Sequence, residues 1–158
     1  MKYLENYIEG NHSIGYEIEP KGIVLHHTGD YSKHSITYTF TNRESSASAH
    51  VVIWKDGNRT QFCKDNQRAW HAGVSEFKGW KGCNNFMIGV EFEGDTNKEP
   101  LTKEQIESFI EWLIPRIEQY KFSIDWVTDH RTVSPGRKVD LNPKELKRVL
   151  TAIKYLWL

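Results

Sequence analysis

Short apolar runs separated by polar turns fill the first part of the chain, and helical periodicity takes over toward its C-terminus. Ile23, Val24 and Leu25 form a continuous apolar run ending at His26-His27-Thr28-Gly29, the pattern of a buried strand that delivers side chains to one edge of a sheet. His50 to Trp54 follows the same logic, and Lys55-Asp56-Gly57-Asn58 supplies a hairpin turn into a strand over Arg59 to Phe62. Met87 to Glu93 predicts a further strand, in which Glu91 and Glu93 share one parity and Val90 and Phe92 the other. Burial of the Val90 and Phe92 face turns both acids outward or into a site. Ile124 to Val127 predicts a short strand.

Thr102 followed by Gln105 reads as a capping box, and Ile106, Phe109, Ile110, Leu113, Ile114 and Ile117 then recur at helical spacing. One amphipathic helix is expected from about Thr102 to Tyr120, kinked or broken at Pro115, which cannot donate to the carbonyl of Glu111. Asn142-Pro143 with Glu145 opens a second helix, whose apolar stripe is Leu146, Val149, Leu150, Ile153 and Trp157. Between Tyr31 and Ser48, Ile36, Tyr38 and Phe40 alternate with threonines like a strand, yet small and polar residues surround them, and the pattern assigns no element. There is no internal repeat, linker or low-complexity tract. Strands mingle with helices, which predicts a single α/β domain over residues 1–158, a mixed central β-sheet flanked by α-helices.

Composition narrows the function classes. The chain has 158 residues, 38% hydrophobic and 13% aromatic, enough to bury a core around a rigid site. Its 21 Lys and Arg balance 21 Asp and Glu, so no global field draws it to nucleic acid or an anionic membrane. The N-terminal stretch MKYLENYIEGNHSIGYEIEP contains acids and lacks the apolar run of a secretion signal or membrane span. The expectation is a monomer made in the cytoplasm without a signal peptide and without stable membrane insertion. Cys63 and Cys83 form no CxxC pair and read as two reduced thiols.

Chemistry enters with three separated residues: His26 in GIVLHHTG, His130 in TDHRTVSPGRKVD, and Asp140. Two histidines and one carboxylate leave a zinc ion an open position, the arrangement of metal-assisted hydrolysis rather than of a closed structural site. Neighbours on a strand point to opposite faces, so one of His26 and His27 ligates and the other packs. Ser134-Pro135-Gly136 can turn the chain so that His130 and Asp140 converge, although Asp140 could equally be a neighbour of the helix cap at Asn142. A hydrolase also needs a proton acceptor and a cation for the developing oxyanion, for which Glu91 and Lys138 are the candidates; a solvated strand acid and a solvated loop lysine are the plainer readings. Arg68-Ala69-Trp70-His71-Ala72-Gly73 suits a wall that binds sugar or peptide, or a packed loop, with His71 a weaker candidate for a fourth ligand. His12 and His34 read as surface or hydrogen-bonded histidines.

The blocks IVLHHTG at 23–29, SAHVVIWKDG at 48–57, RAWHAGVS at 68–75, CNNFMIGVEFEG at 83–94 and DHRTVSPGRKVD at 129–140 together resemble the zinc-dependent N-acetylmuramoyl-L-alanine amidases. That family takes in AmpD-like recycling enzymes, amidase-type phage lysozymes and peptidoglycan recognition proteins. The resemblance implies zinc (Zn2+) on His26, His130 and Asp140, Glu91 as acid/base, and Lys138 beside the tetrahedral intermediate. It makes His50, Arg68, Trp70, His71 and Arg137 candidates for substrate binding, with peptidoglycan or muropeptides as the partner and the muramoyl to L-alanine amide as the bond cleaved. A noncatalytic peptidoglycan-binding module of the same fold is the alternative. The chain has Ala49 where many lytic relatives carry Tyr, and its segment between His26 and Ser48 is short relative to recycling enzymes. The first departure follows the pattern in which the Glu91 position provides the base, and the second leaves room for an endolysin that reaches the wall after release beside a recycling amidase.

Overall fold

A computed structural model describes residues 1–157, with Trp157 described in its backbone alone, so the expected place of its side chain in the apolar stripe lies outside the described residues. Six strands form one sheet in the order β1-β5-β4-β9-β3-β10: β1 is Glu5–Tyr7, β3 Gly22–His27, β4 Val51–Ile53, β5 Arg59–Gln61, β9 Met87–Phe92 and β10 Val127–Asp129. β4 and β5 pair antiparallel across a turn at Gly57, where a φ of 89° favours a residue without Cβ. The other pairs are parallel, so the sheet is mixed, as expected. Two small antiparallel pairs lie outside it, β2 (His12–Glu17) with β6 (Gln67–Ala69) and β7 (Glu76–Phe77) with β8 (Trp80–Lys81).

Side-chain parity divides the sheet into two faces. Ile23, Leu25, Val51, Ile53, Ile88, Val90 and Phe92 are buried against α2 (Lys103–Tyr120) and α4 (Pro143–Trp157) through Phe109, Trp112, Leu113, Val149 and Ile153. Val52, on the opposite parity, packs with Ile36 and Phe40 of α1 (Lys33–Thr41), while Val24 and Met87 pack with Val133 of α3 (His130–Val133). Helices therefore cover both faces. The strand ends left between α1 and α3 are where polar side chains collect.

The structure settles three local readings. The unassigned segment contains α1: Ile36 and Phe40 are buried four positions apart, as a helix requires, while Tyr38 is 63% exposed, and the Ser32 hydroxyl accepts from the Ser35 N–H at the N-terminus. Ile124–Trp126 is a 3-10 turn, and the strand begins only at Val127 because Val127, Thr128 and Asp129 are the residues in register with Ile23, Val24 and Leu25. Finally, α2 runs through Pro115 unbroken. Pro115 is exposed, so water can satisfy the carbonyl that loses its donor, while buried Trp112, Leu113 and Ile117 hold the axis against the sheet. The Thr102/Gln105 capping box and the Asn142-Pro143 helix start form as expected, with the Asn142 side chain accepting from the Lys144 N–H.

Candidate active site

Parallel strands open a crevice beyond their carboxyl ends, and the ionisable side chains lie there. His26 is near the end of β3, Glu91 is its register partner on β9, and His130 follows β10 directly as the first residue of α3. Asp140 arrives on the loop after α3. One buried carboxylate ties that loop down: Asp129 Oδ1 accepts from the Thr132 N–H at 2.9 Å and caps α3, while Oδ2 accepts from the Leu141 N–H at 3.1 Å. Asp129 thus fixes the residues adjoining both His130 and Asp140. The backbone N–H of Arg131 also donates to the Asp140 carbonyl.

His26, His130 and Asp140 converge and are all buried. His26 Nδ1 and His130 Nδ1 are 2.9 Å apart, and the Asp140 carboxylate lies 3.6 Å from the first and 3.5 Å from the second. Ligands about 2.0–2.1 Å from a tetrahedral zinc lie roughly 3.3 Å from one another, so these separations suit one small divalent ion. The opposite ring nitrogens face protein: His130 Nε2 is 3.0 Å from the Ala72 carbonyl and His26 Nε2 is 3.0 Å from His71 Nδ1. A carbonyl can only accept, so His130 carries a proton on Nε2 and turns Nδ1 toward Asp140. Burial holds His26 down at about 4, against the raising effect of Asp140, so its ring stays neutral near pH 7. A neutral His26 ring, the inward-facing Nδ1 of His130 and an ionised Asp140 carboxylate are a donor set suited to a divalent cation.

Glu91 is partly buried and points into the same crevice; its Oε2 is sealed from solvent with no hydrogen-bond partner. Burial raises its carboxyl well above the ordinary range, the Asp140 charge adds to the rise, and Lys138 opposes it. Lys138 is exposed and lines the crevice with Glu91, so the two expected catalytic side chains share one cleft with the three expected ligands. That cleft encloses roughly 440 Å³, with Trp70, His71 and Arg137 along its wall. A second lobe of roughly 370 Å³ meets it at Glu91 and is lined by Tyr31, Ser35, Thr39 and Phe40 around α1. The residue pattern does not reveal this lobe, because Tyr31 to Ser48 carries no period that marks α1.

The remaining candidates divide. His50 is fully buried and does not line the cleft: its Nδ1 accepts from the Gly89 N–H at 3.0 Å and its Nε2–H donates to the Gln67 carbonyl at 2.7 Å. The expectation that it binds substrate is corrected to a role in joining strands. Arg68 also stands behind the wall, donating to Ser13 and Asn85 and lying over the Tyr16 and Trp70 rings, where it braces Trp70. His71 borders the cleft, but both ring nitrogens are engaged within the protein, which excludes it from the ligand set. Arg137 lines the cleft from the loop after α3, and its guanidinium donates to the carbonyls of Ala72 and Val74, tying that loop to the one after Trp70. His27 packs, with Nδ1 2.7 Å from the Thr96 hydroxyl. His12 pairs with Glu9, His34 is exposed, and Cys63 and Cys83 are buried free thiols. Burial pushes the Cys63 thiol up to about 12.

The sequence profile of the N-acetylmuramoyl-L-alanine amidase family matches residues 14–143. The chain belongs to this family. Among its amidase relatives is the 1,6-anhydro-N-acetylmuramyl-L-alanine amidase AmpD of Haemophilus influenzae, 40% identical over 109 residues, which are 68% of this chain and 59% of that protein. The chain thus spans little more than half the length of that amidase. Its fold superposes on a crystal structure of AmpD with a TM-score of 0.81 at 26% identity, covering 97% of this chain and 95% of the other. A structure of the Escherichia coli amidase AmiD with the substrate anhydro-N-acetylmuramic acid-L-Ala-D-gamma-Glu-L-Lys shares the fold, with a TM-score of 0.70 at 23% identity over 87% of this chain and 60% of that one.

Proposed function

We propose that this chain is a zinc-dependent amidase that hydrolyses the bond between the lactyl carbonyl of N-acetylmuramic acid and the L-alanine nitrogen of muropeptides. The observation that carries the reading is the convergence of His26, His130 and Asp140 beside an unpaired, buried Glu91 oxygen. Muropeptides are favoured as substrates over intact wall because the relative at 40% identity is named for the anhydro-muropeptide reaction.

When bound, zinc polarises the scissile carbonyl and lowers the pKa of water to about 7. The protein supplies the rest. Glu91 accepts a proton from the attacking water and returns it to the departing L-alanine nitrogen as the amide C–N bond breaks, leaving a carboxylate and a free amine. A carboxyl held above its ordinary range by burial suits both halves of that exchange. Lys138 brings a positive charge to the cleft where negative charge develops on the carbonyl oxygen. Trp70 offers an indole face on the cleft wall to the apolar face of a sugar ring.

Incubation of the protein with a muramoyl tripeptide, with zinc or with chelator, tests the reading by mass spectrometry of released peptide. Zinc-dependent release that falls at least about a hundredfold in Glu91→Ala supports it. Release from intact sacculi alone would move the substrate to the wall, and no release from either would leave a peptidoglycan-binding module of the same fold.

A further inference from the structure

His71 is buried behind the three converging side chains and touches none of the expected reacting atoms, yet it makes two directional contacts. Its Nε2 is 3.0 Å from the Met87 carbonyl, and its Nδ1 is 3.0 Å from His26 Nε2. A carbonyl is only an acceptor, so the first contact requires the His71 proton to be on Nε2. A neutral imidazole with its proton there has a bare Nδ1, and the second contact then requires His26 to be the donor through its Nε2–H. The consequence runs one ring further: His26 is left with a bare Nδ1, the atom 2.9 Å from His130 Nδ1 and 3.6 Å from Asp140.

A second observation shows that the fold makes room for this ring. A Cβ at Gly89 would lie 2.3 Å from His71 Cγ and 2.6 Å from its Nδ1, closer than any side chain can approach. Gly89 has no need of its conformational freedom, since it lies within the regular strand β9. What it supplies is the flat backbone surface on which the imidazole lies. His50, fixed by the Gly89 N–H and the Gln67 carbonyl, packs edge-on against the same ring with centroids 5.8 Å apart.

We infer that His71 is a positioning residue that transmits the Met87 carbonyl's hydrogen-bond polarity through two imidazoles and thereby fixes His26 in the one tautomer able to bind a metal through Nδ1. The inference rests on the metal-site reading above. It assigns to the His of the Trp-His-Ala-Gly segment a task distinct from ligation and from substrate contact.

The test compares three variants that alter different parts of the relay, using the full chain. His71→Phe keeps a ring but removes both nitrogens. His71→Asn removes the contact to Met87 yet keeps an oxygen acceptor at the position of Nδ1, facing His26. Gly89→Ala keeps the histidine and displaces its ring. Zinc affinity is read by competition with a chromophoric chelator, independent of any hydrolysis. His71→Phe and Gly89→Ala are expected to bind zinc about 10–100-fold more weakly than wild type, whereas His71→Asn stays within about threefold. Equal losses in Phe and Asn would mean a packing role only and would overturn the inference, as would undiminished affinity in Phe. Should His71→Phe fail to unfold cooperatively, His71→Leu replaces it in the same comparison. A second measurement needs no metal: long-range proton–nitrogen correlation in the metal-free protein is expected to find His26 protonated on Nε2. A proton on His26 Nδ1 sinks the relay, whereas failure of wild type to bind zinc at all sinks the metal reading beneath it.

Discussion

Glu91 is the side chain with most at stake, because the environment that suits it to chemistry works against the fold. Its Oε2 is buried without a donor, and burial raises its carboxyl well above the ordinary value of 4.5. The sign follows from linkage: above 4.5 the unfolded chain gives up this proton more readily than the folded one, so stability is lost as pH rises toward the folded value. Glu91→Gln removes that loss. In chelator-treated protein at pH 8 the variant is expected to be about 1–3 kcal/mol more stable than wild type by urea unfolding, with the gap closing near pH 4. Equal stability of the two at pH 8 would show that the carboxylate finds a partner. Buried His26 and His50, each held down at about 4, carry the opposite sign. Below about 6.5 the unfolded chain takes up protons that the folded rings refuse, so each histidine withdraws roughly 1.4 kcal/mol per pH unit down to about 4. His71 is lowered in the same direction by burial and by its histidine neighbours. Metal-free Glu91→Gln is therefore expected to lose stability steeply between pH 6.5 and 4, followed by circular dichroism; a flat profile would mean that these rings are solvated.

Among the elements, the test case is α2. Pro115 costs a helix about 3 kcal/mol relative to Ala in an ordinary interior position, yet here the helix continues through it. Packing of Phe109, Trp112, Leu113 and Ile117 onto the sheet is what outweighs the lost bond. Pro115→Ala should restore that bond on the exposed face and raise stability by about 1–3 kcal/mol in urea unfolding, tempered by the greater freedom of the unfolded chain. No gain would place a compensating donor at the Glu111 carbonyl. The same element-level view explains what could be read from sequence. His26, Glu91 and the α2 cap were legible because each lies on an element with a clear period, whereas α1 was not: Ile36, Tyr38 and Phe40 fit alternation and a helical i, i+4 spacing equally, and only the exposure of Tyr38 separates the two. The partners of His50 and His71 were hidden for another reason. Adjacent motifs suggested a binding wall, but the His50 nitrogens meet backbone groups of Gly89 and Gln67 and the His71 nitrogens meet the Met87 carbonyl and the distant His26 ring, contacts that no residue pattern displays.

At the scale of the whole molecule, the crevice exists because β4, β9, β3 and β10 all run parallel and end on one side. Each such pairing joins segments far apart in the chain: His26 meets its register partner Glu91, and His130 meets His26 across 104 positions. Distant pairings carry loop-closure entropy that short hairpins do not, so they complete late in folding. Only the β4 to β5 turn offers a local start among the strands of this sheet. Because β3 delivers His26 and β10 leads directly into His130, the coordination sphere is complete only where the sheet's centre has closed. A metal ion arriving there would consequently be a latecomer, unable to hasten assembly and effective only as a brake on its reversal.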